Sequence, residues 1–172
     1  MFIHRALTDE LLKAARSFAA VILTGPRRSG KTTLLRRVFP KASYHLLEDP
    51  DTVARMRADP RSFLEEVRLP VILDEIQNVP EILNYVRARI DRAPRKTGQW
   101  LLTGSQEFPL MKGVTESMAG RAAVLQLCPS HRRNCLKCLA RSRRGPWSAT
   151  EVQATSCGAV SGGKRFSNSA AA

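Results

Sequence analysis

The chain has 172 residues and a formal net charge of +13, with 43% hydrophobic and 25% charged residues. That length holds one ordinary domain, with or without a tail, and excludes two large ones, while the composition excludes wholesale disorder and a coiled coil. No apolar run approaches the ~18 residues of a membrane-spanning helix, and the first residues lack the basic-then-apolar pattern of a signal peptide, so the sequence predicts a cytoplasmic protein with no membrane partner.

The charge is uneven. Residues 1–127 carry 20 Lys/Arg against 14 Asp/Glu, whereas residues 128–172 carry 8 against 1 and hold all four cysteines, Cys128, Cys135, Cys138 and Cys157. A basic balance can signal nucleic acid, but here half of it sits in 45 residues of different character, and the two parts are read separately.

In the first part, apolar runs alternate with amphipathic segments, the pattern of an α/β protein with a parallel sheet. Thr8 is placed to cap a short helix over residues 9–16, with Asp9 and Glu10 in its positive first turn. Residues 19–24 form an unbroken apolar run, as expected of a strand covered on both faces. A helix over 31–38 follows, stopped by Pro40, and then a weaker strand over 43–47. Residues 51–57 and 60–67 read as short helices with acidic or proline starts. Residues 71–73 are a second strong strand. The segment 80–92 is an amphipathic helix with Ile82, Leu83, Val86 and Ile90 in one stripe and Arg87, Arg89 and Arg92 elsewhere, a solvated face rather than a nucleic-acid contact. Strands over 99–103 and 122–127 complete five strands with intervening helices, a three-layer α/β sandwich. After Leu127 the periodicity stops. Only Leu136, Leu139, Val152, Val160 and Phe166 are large aliphatic residues or Phe in that stretch, too little apolar surface to offset the entropy of ordering. The sequence therefore predicts a core over 1–127 and a disordered basic tail over 128–172.

Residues Gly25-Pro26-Arg27-Arg28-Ser29-Gly30-Lys31-Thr32 fit G-x-x-x-x-G-K-[ST], after a strand and before a helix, as that motif requires. The two glycines let the backbone curl so that successive N–H groups face a polyphosphate, and the following helix adds its positive end. Lys31 would reach the β- and γ-phosphates and the Thr32 hydroxyl would hold Mg²⁺. Arg27 and Arg28 either add positive potential or project into water from the loop's outer edge, and the outer edge favours water.

The strand over 71–73 delivers Asp74 at its C-terminal end, where an open α/β sheet binds ligands, so Asp74 can support the Mg²⁺ sphere. Glu75 follows and can polarise a water for attack on the γ-phosphate. The same acidic pair could instead cap the next helix. Ser105, or failing it Thr103, would face the γ-phosphate if the strand over 99–103 lies between those carrying Lys31 and Asp74, though either could be a turn residue. Arg121 could serve a neighbouring subunit as a finger on transition-state charge, or be an ordinary surface arginine.

Together these residues are a resemblance. Gly25 to Thr33, Leu47-Glu48-Asp49-Pro50-Asp51, Asp59-Pro60-Arg61, Leu73-Asp74-Glu75-Ile76-Gln77, Leu102-Thr103-Gly104-Ser105-Gln106 and Met118-Ala119-Gly120-Arg121 agree in order and spacing with the prokaryotic AAA-like ATPases that carry an uncharacterised nuclease-like C-terminal domain. The likeness covers residues 2–127. It implies a five-stranded parallel sheet of order 5-1-4-3-2, Mg-dependent ATP hydrolysis, nucleotide contact by Gly25, Pro26, Arg27, Arg28, Ser29, Gly30, Lys31, Thr32 and Thr33, metal support by Thr32 and Asp74, and Glu75 as base. A homo-oligomer or a second protein is the implied partner. Family members continue differently after the fifth strand, so the change at Leu127 reads as a truncation or a shift of reading frame.

Two other readings compete. A small-molecule kinase shares the phosphate loop and Mg²⁺, but Glu75 beside Asp74 suits activation of water better. A GTP switch lacks its base-reading Asn-Lys-x-Asp signature. Cys128, His131, Cys135 and Cys138, amid Arg132, Arg133, Lys137, Arg141, Arg143 and Arg144, could form a zinc-stabilised nucleic-acid module, although four ligands within eleven residues are more crowded than structural zinc sites allow.

Overall fold

The computed structural model describes residues 3–105, 118–127 and 136–139, with side chains from Thr8 to Ser105 and from Met118 to Leu127. In chain order the elements are α1 (Ile3–Ser17), β1 (Ala20–Gly25), α2 (Lys31–Val38), β2 (Ser43–Leu46), α3 (Pro50–Ala58), α4 (Pro60–Glu66), β3 (Val71–Asp74), a 3-10 turn (Ile76–Asn78), α5 (Ile82–Arg92), β4 (Trp100–Ser105), β5 (Ala122–Leu127) and β6 (Leu136–Leu139). The sheet runs β2-β3-β4-β1-β5-β6. Its first five strands are mutually parallel, which is the order 5-1-4-3-2 read from the other edge.

Alternation along each strand sorts the core into two layers. Val21 and Leu23 of β1, with Ile72, Leu101, Ala123 and Leu125, pack against Leu11 of α1 and Leu34 and Leu35 of α2. Ala20, Ile22, Leu73, Leu102 and Val124 face the other way onto Met56, Phe63, Leu64, Ile82, Leu83, Val86 and Ile90 of α3 to α5. Both faces of β1 are closed, which is why its sequence is a continuous apolar run. Each fully buried Leu or Ile contributes about 1.5–3 kcal/mol relative to exposure.

Two local readings need correction. Helix α1 begins at Ile3, so Thr8 lies within it and is not its cap; the Arg-Ala-Leu run before Thr8 favours helix strongly enough to extend it. Helix α3 starts one residue earlier than the acidic Asp51 suggests, because Asp49 accepts a bond from the Thr52 N–H and Pro50 takes the first helical position. Asp59 caps α4 in the same way through Arg61 and Ser62. After Leu127, the four residues of β6 pair antiparallel with β5, Leu136 opposite Leu127 and Leu139 opposite Val124. A central-type strand such as β5 would otherwise expose a full row of backbone donors and acceptors, and four residues suffice to cover it without a hydrophobic core of their own. The proposed zinc ligands Cys128, His131 and Cys135, and residues 140–172, lie outside the described residues.

Candidate functional site

The register of the sheet brings three strand ends together. Gly25, the last residue of β1, pairs with Ser105, the last of β4, and β4 pairs on its other side with β3, Leu102 opposite Leu73. Strand β4 therefore does lie between the strands that deliver the phosphate loop and Asp74.

Asp74 is 3% exposed, and a carboxylate so buried must be hydrogen-bonded. Three hydroxyls do this. Thr32 Oγ1 donates to Asp74 Oδ2 at 2.8 Å, the Tyr44 hydroxyl donates to the same oxygen at 2.8 Å, and Thr103 Oγ1 donates to Oδ1. Charge-assisted bonds of this kind contribute roughly 1.5–3 kcal/mol each. Burial, and then the bond to Asp74, push the Tyr44 phenol up to about 12. The guanidinium of Arg36 sits 4.9 Å from the centre of the Tyr44 ring.

Lys31 is 4% exposed. Its Nζ donates to the Gly25 carbonyl at 3.1 Å and the Pro26 carbonyl at 2.9 Å, so the ammonium is folded back against the loop. Burial lowers its pKa; the Glu75 and Asp74 carboxylates oppose that and Arg27 adds to it. Ser29 Oγ is buried without a hydrogen-bond partner. At Gly30, whose φ is 87°, an added Cβ would meet no atom within 4 Å. A buried ammonium, an orphaned hydroxyl and open space above a glycine fit an anionic polyphosphate, and the Thr32–Asp74 pair beside them fits a hard divalent cation.

Glu75 stands at φ 58°, ψ 50°, a left-handed conformation that costs an L residue roughly 1–2 kcal/mol. Its N–H donates to Thr103 Oγ1 at 3.1 Å, and its Oε2 accepts from Gln77 Nε2. Gln77 Oε1 in turn accepts the Ser105 N–H at 3.2 Å. Gln77 thus joins the base candidate to the tip of β4. Thr103, fully buried, is hydrogen-bonded to Asp74 and to the Glu75 N–H, and Ser105 is the residue at the tip of β4.

Arg27 is exposed, its guanidinium 3.7 Å from Glu48. Arg121 precedes β5 and so lies at the opposite end of the sheet, where Nε and Nη2 donate to the two oxygens of Asp91 at 2.6 and 3.0 Å. Arg89 and Arg92 pair with Glu65 at 3.2 and 3.9 Å beside a cleft of about 220 Å³ between α4 and α5 that includes none of the loop residues. Tyr44 escaped the sequence reading altogether. It sits on a weak strand, and only the adjacency of β2 and β3 brings its hydroxyl to Asp74.

The chain matches the model of the AAA domain family over residues 17–136. It is 34% identical over 127 residues to the uncharacterized proteins Rv2008c of Mycobacterium tuberculosis and Mb2031c of Mycobacterium bovis, an alignment covering 72% of this chain and 28% of each relative. The chain thus matches less than a third of the length of those relatives.

Proposed function

Since the chain belongs to the AAA domain family, we propose that it binds ATP together with Mg²⁺, in preference to GTP, and hydrolyses it. The observation that carries this reading is the 2.8 Å bond between Thr32 and Asp74, residues 42 apart in sequence, beside a buried lysine and an unsatisfied serine hydroxyl.

Lys31 would exchange two neutral carbonyls for phosphate oxygens, a gain because hydrogen bonds between charged partners are about twice as strong as neutral ones. The backbone N–H groups of the loop and the first turn of α2 would take the remaining phosphate charge. Thr32 and Asp74 would hold Mg²⁺, which supplies charge neutralisation at the phosphates. Gln77 holds one Glu75 carboxylate oxygen, and the other, Oε1, would accept the proton of the attacking water. Ser105, at the tip of the central strand, would contact the γ-phosphate. The parts of the relatives beyond the matched region leave the target of this turnover to the whole protein.

The test is retention of labelled ATP by the purified chain. Lys31→Ala should reduce it to background at ATP concentrations that saturate the wild type, with GTP competing poorly. Equal retention by wild type and Lys31→Ala would remove the phosphate loop from the assignment.

A further inference from the structure

Asp74 Oδ2 accepts two hydroxyls, Thr32 from the loop side and Tyr44 from strand β2, while Oδ1 accepts Thr103 from β4. The carboxylate plane is therefore pinned from both sheet neighbours of β3 as well as from the phosphate loop. Of these donors only Tyr44 lies on an edge strand, bonded to β3 alone and half-exposed along its whole length. The Arg36 guanidinium stacked on its ring fixes the phenol from the α2 side, so the side chain is held at both ends.

We propose that Tyr44 is a positioning residue for Mg²⁺ at this site: by pinning Asp74 Oδ2 it sets the carboxylate orientation on which metal affinity depends. The inference rests on the ATP-binding reading above. Hydrogen bonds behind a metal-binding carboxylate fix its orientation, and their loss typically weakens metal affinity 10–100-fold. Loss of the Tyr44 hydroxyl should do the same here. It should leave phosphate binding by Lys31 and the loop amides untouched, since the Tyr44 hydroxyl bonds to Asp74 and its ring lies against Arg36.

The experiment titrates Mg²⁺ into the chain in the presence of ATP and reads ATP affinity, against the same measurement in EDTA. In Tyr44→Phe the Mg²⁺ concentration giving half of the tightening should rise about tenfold or more, with affinity in EDTA unchanged. A merely structural tyrosine would weaken ATP binding equally with and without Mg²⁺. An unchanged Mg²⁺ midpoint in Tyr44→Phe, with Mg²⁺-dependent binding by the wild type, overturns the inference alone. Failure of the wild type to bind ATP overturns both it and the reading it rests on. Should Tyr44→Phe fail to fold, the Tyr85→Phe variant leaves Tyr44 as the sole tyrosine. Its near-ultraviolet tyrosine signal should then change when Mg²⁺ is added to the ATP-bound protein, and a signal indifferent to Mg²⁺ counts against the proposal.

Discussion

The two glycines of the phosphate loop should fail for different reasons when replaced. At Gly25 an added Cβ would stand 2.5 Å from the carbonyl oxygen of Leu127 and 3.2 Å from its Cβ. Ordinary contact needs several tenths of an ångström more, and the nearer atom is backbone at the end of β5, so neither side can yield by rotating a side chain. Overpacking of this kind costs about 1–3 kcal/mol. At Gly30 there is open space, and the penalty comes only from φ 87°, roughly 1–2 kcal/mol for an L residue. In urea, with a slope of about 1–3 kcal/mol per molar, either Gly25→Ala or Gly30→Ala should lower the midpoint by about 1 M. The variants that separate the causes are Leu127→Gly, which should not rescue Gly25→Ala because the carbonyl remains, and Gly30→Asn, which should be milder than Gly30→Val because Asn tolerates left-handed backbone. Wild-type stability of Gly25→Ala, or its full recovery in Leu127→Gly, would refute the steric account.

Glu75→Gln should leave ATP binding intact, since its amide can still accept from Gln77, while lowering any steady-state hydrolysis roughly 10²- to 10⁴-fold; turnover that survives unchanged moves the base elsewhere. His45, edge-on to Phe63 at 5.4 Å, is held below the usual imidazole range by burial and then by the charge of Arg55. The unfolded chain therefore takes up this proton first as pH falls. Stability should be full above about pH 6.5, decline as the pH drops below that value, and do so less in His45→Gln; urea midpoints at pH 7.5 and 5.5 that coincide in the wild type contradict this.

The motif over residues 25–32 was recognisable because its residue types answer one physical demand, backbone able to curl around an anion, and that demand is local in sequence. The central strands β1, β3 and β4 were legible because both faces of the sheet are closed there, so their apolar runs stand out, whereas the half-exposed edge strand β2 gave a weaker signal. What could not be read was which side chains meet across neighbouring strands. Tyr44 reaches Asp74 only because β2 lies next to β3, and Thr103 turns inward to Asp74 and the Glu75 N–H only because β4 lies next to β3. Gln77 is close to Glu75 in sequence, but its second contact, to the Ser105 N–H, depends on the same neighbour. Strand β6 was missed because its stabilisation lies in pairing with β5 rather than in a pattern of its own.

Backbone strain points to the same end of the sheet as the motifs do. Among the described residues, two non-glycine residues have positive φ, Arg28 at 61° and Glu75 at 58°. One lies in the loop after β1 and the other directly after β3, so both flank the C-terminal edge of the central strands. Glycine or asparagine would relieve either position, and stability alone would favour them. A Glu kept at this strained position with its carboxylate bonded to Gln77 is what the proposed role of that carboxylate would require, rather than a turn that any small residue could make. Among the described residues the opposite end of the strands carries no such sign. Arg121 is there satisfied by Asp91 and by the Ala119 carbonyl at 3.2 Å, an arrangement that joins the start of β5 to the end of α5. For this arginine to serve another subunit's phosphates it would have to surrender a bidentate pair, so its observed geometry is that of a structural tie.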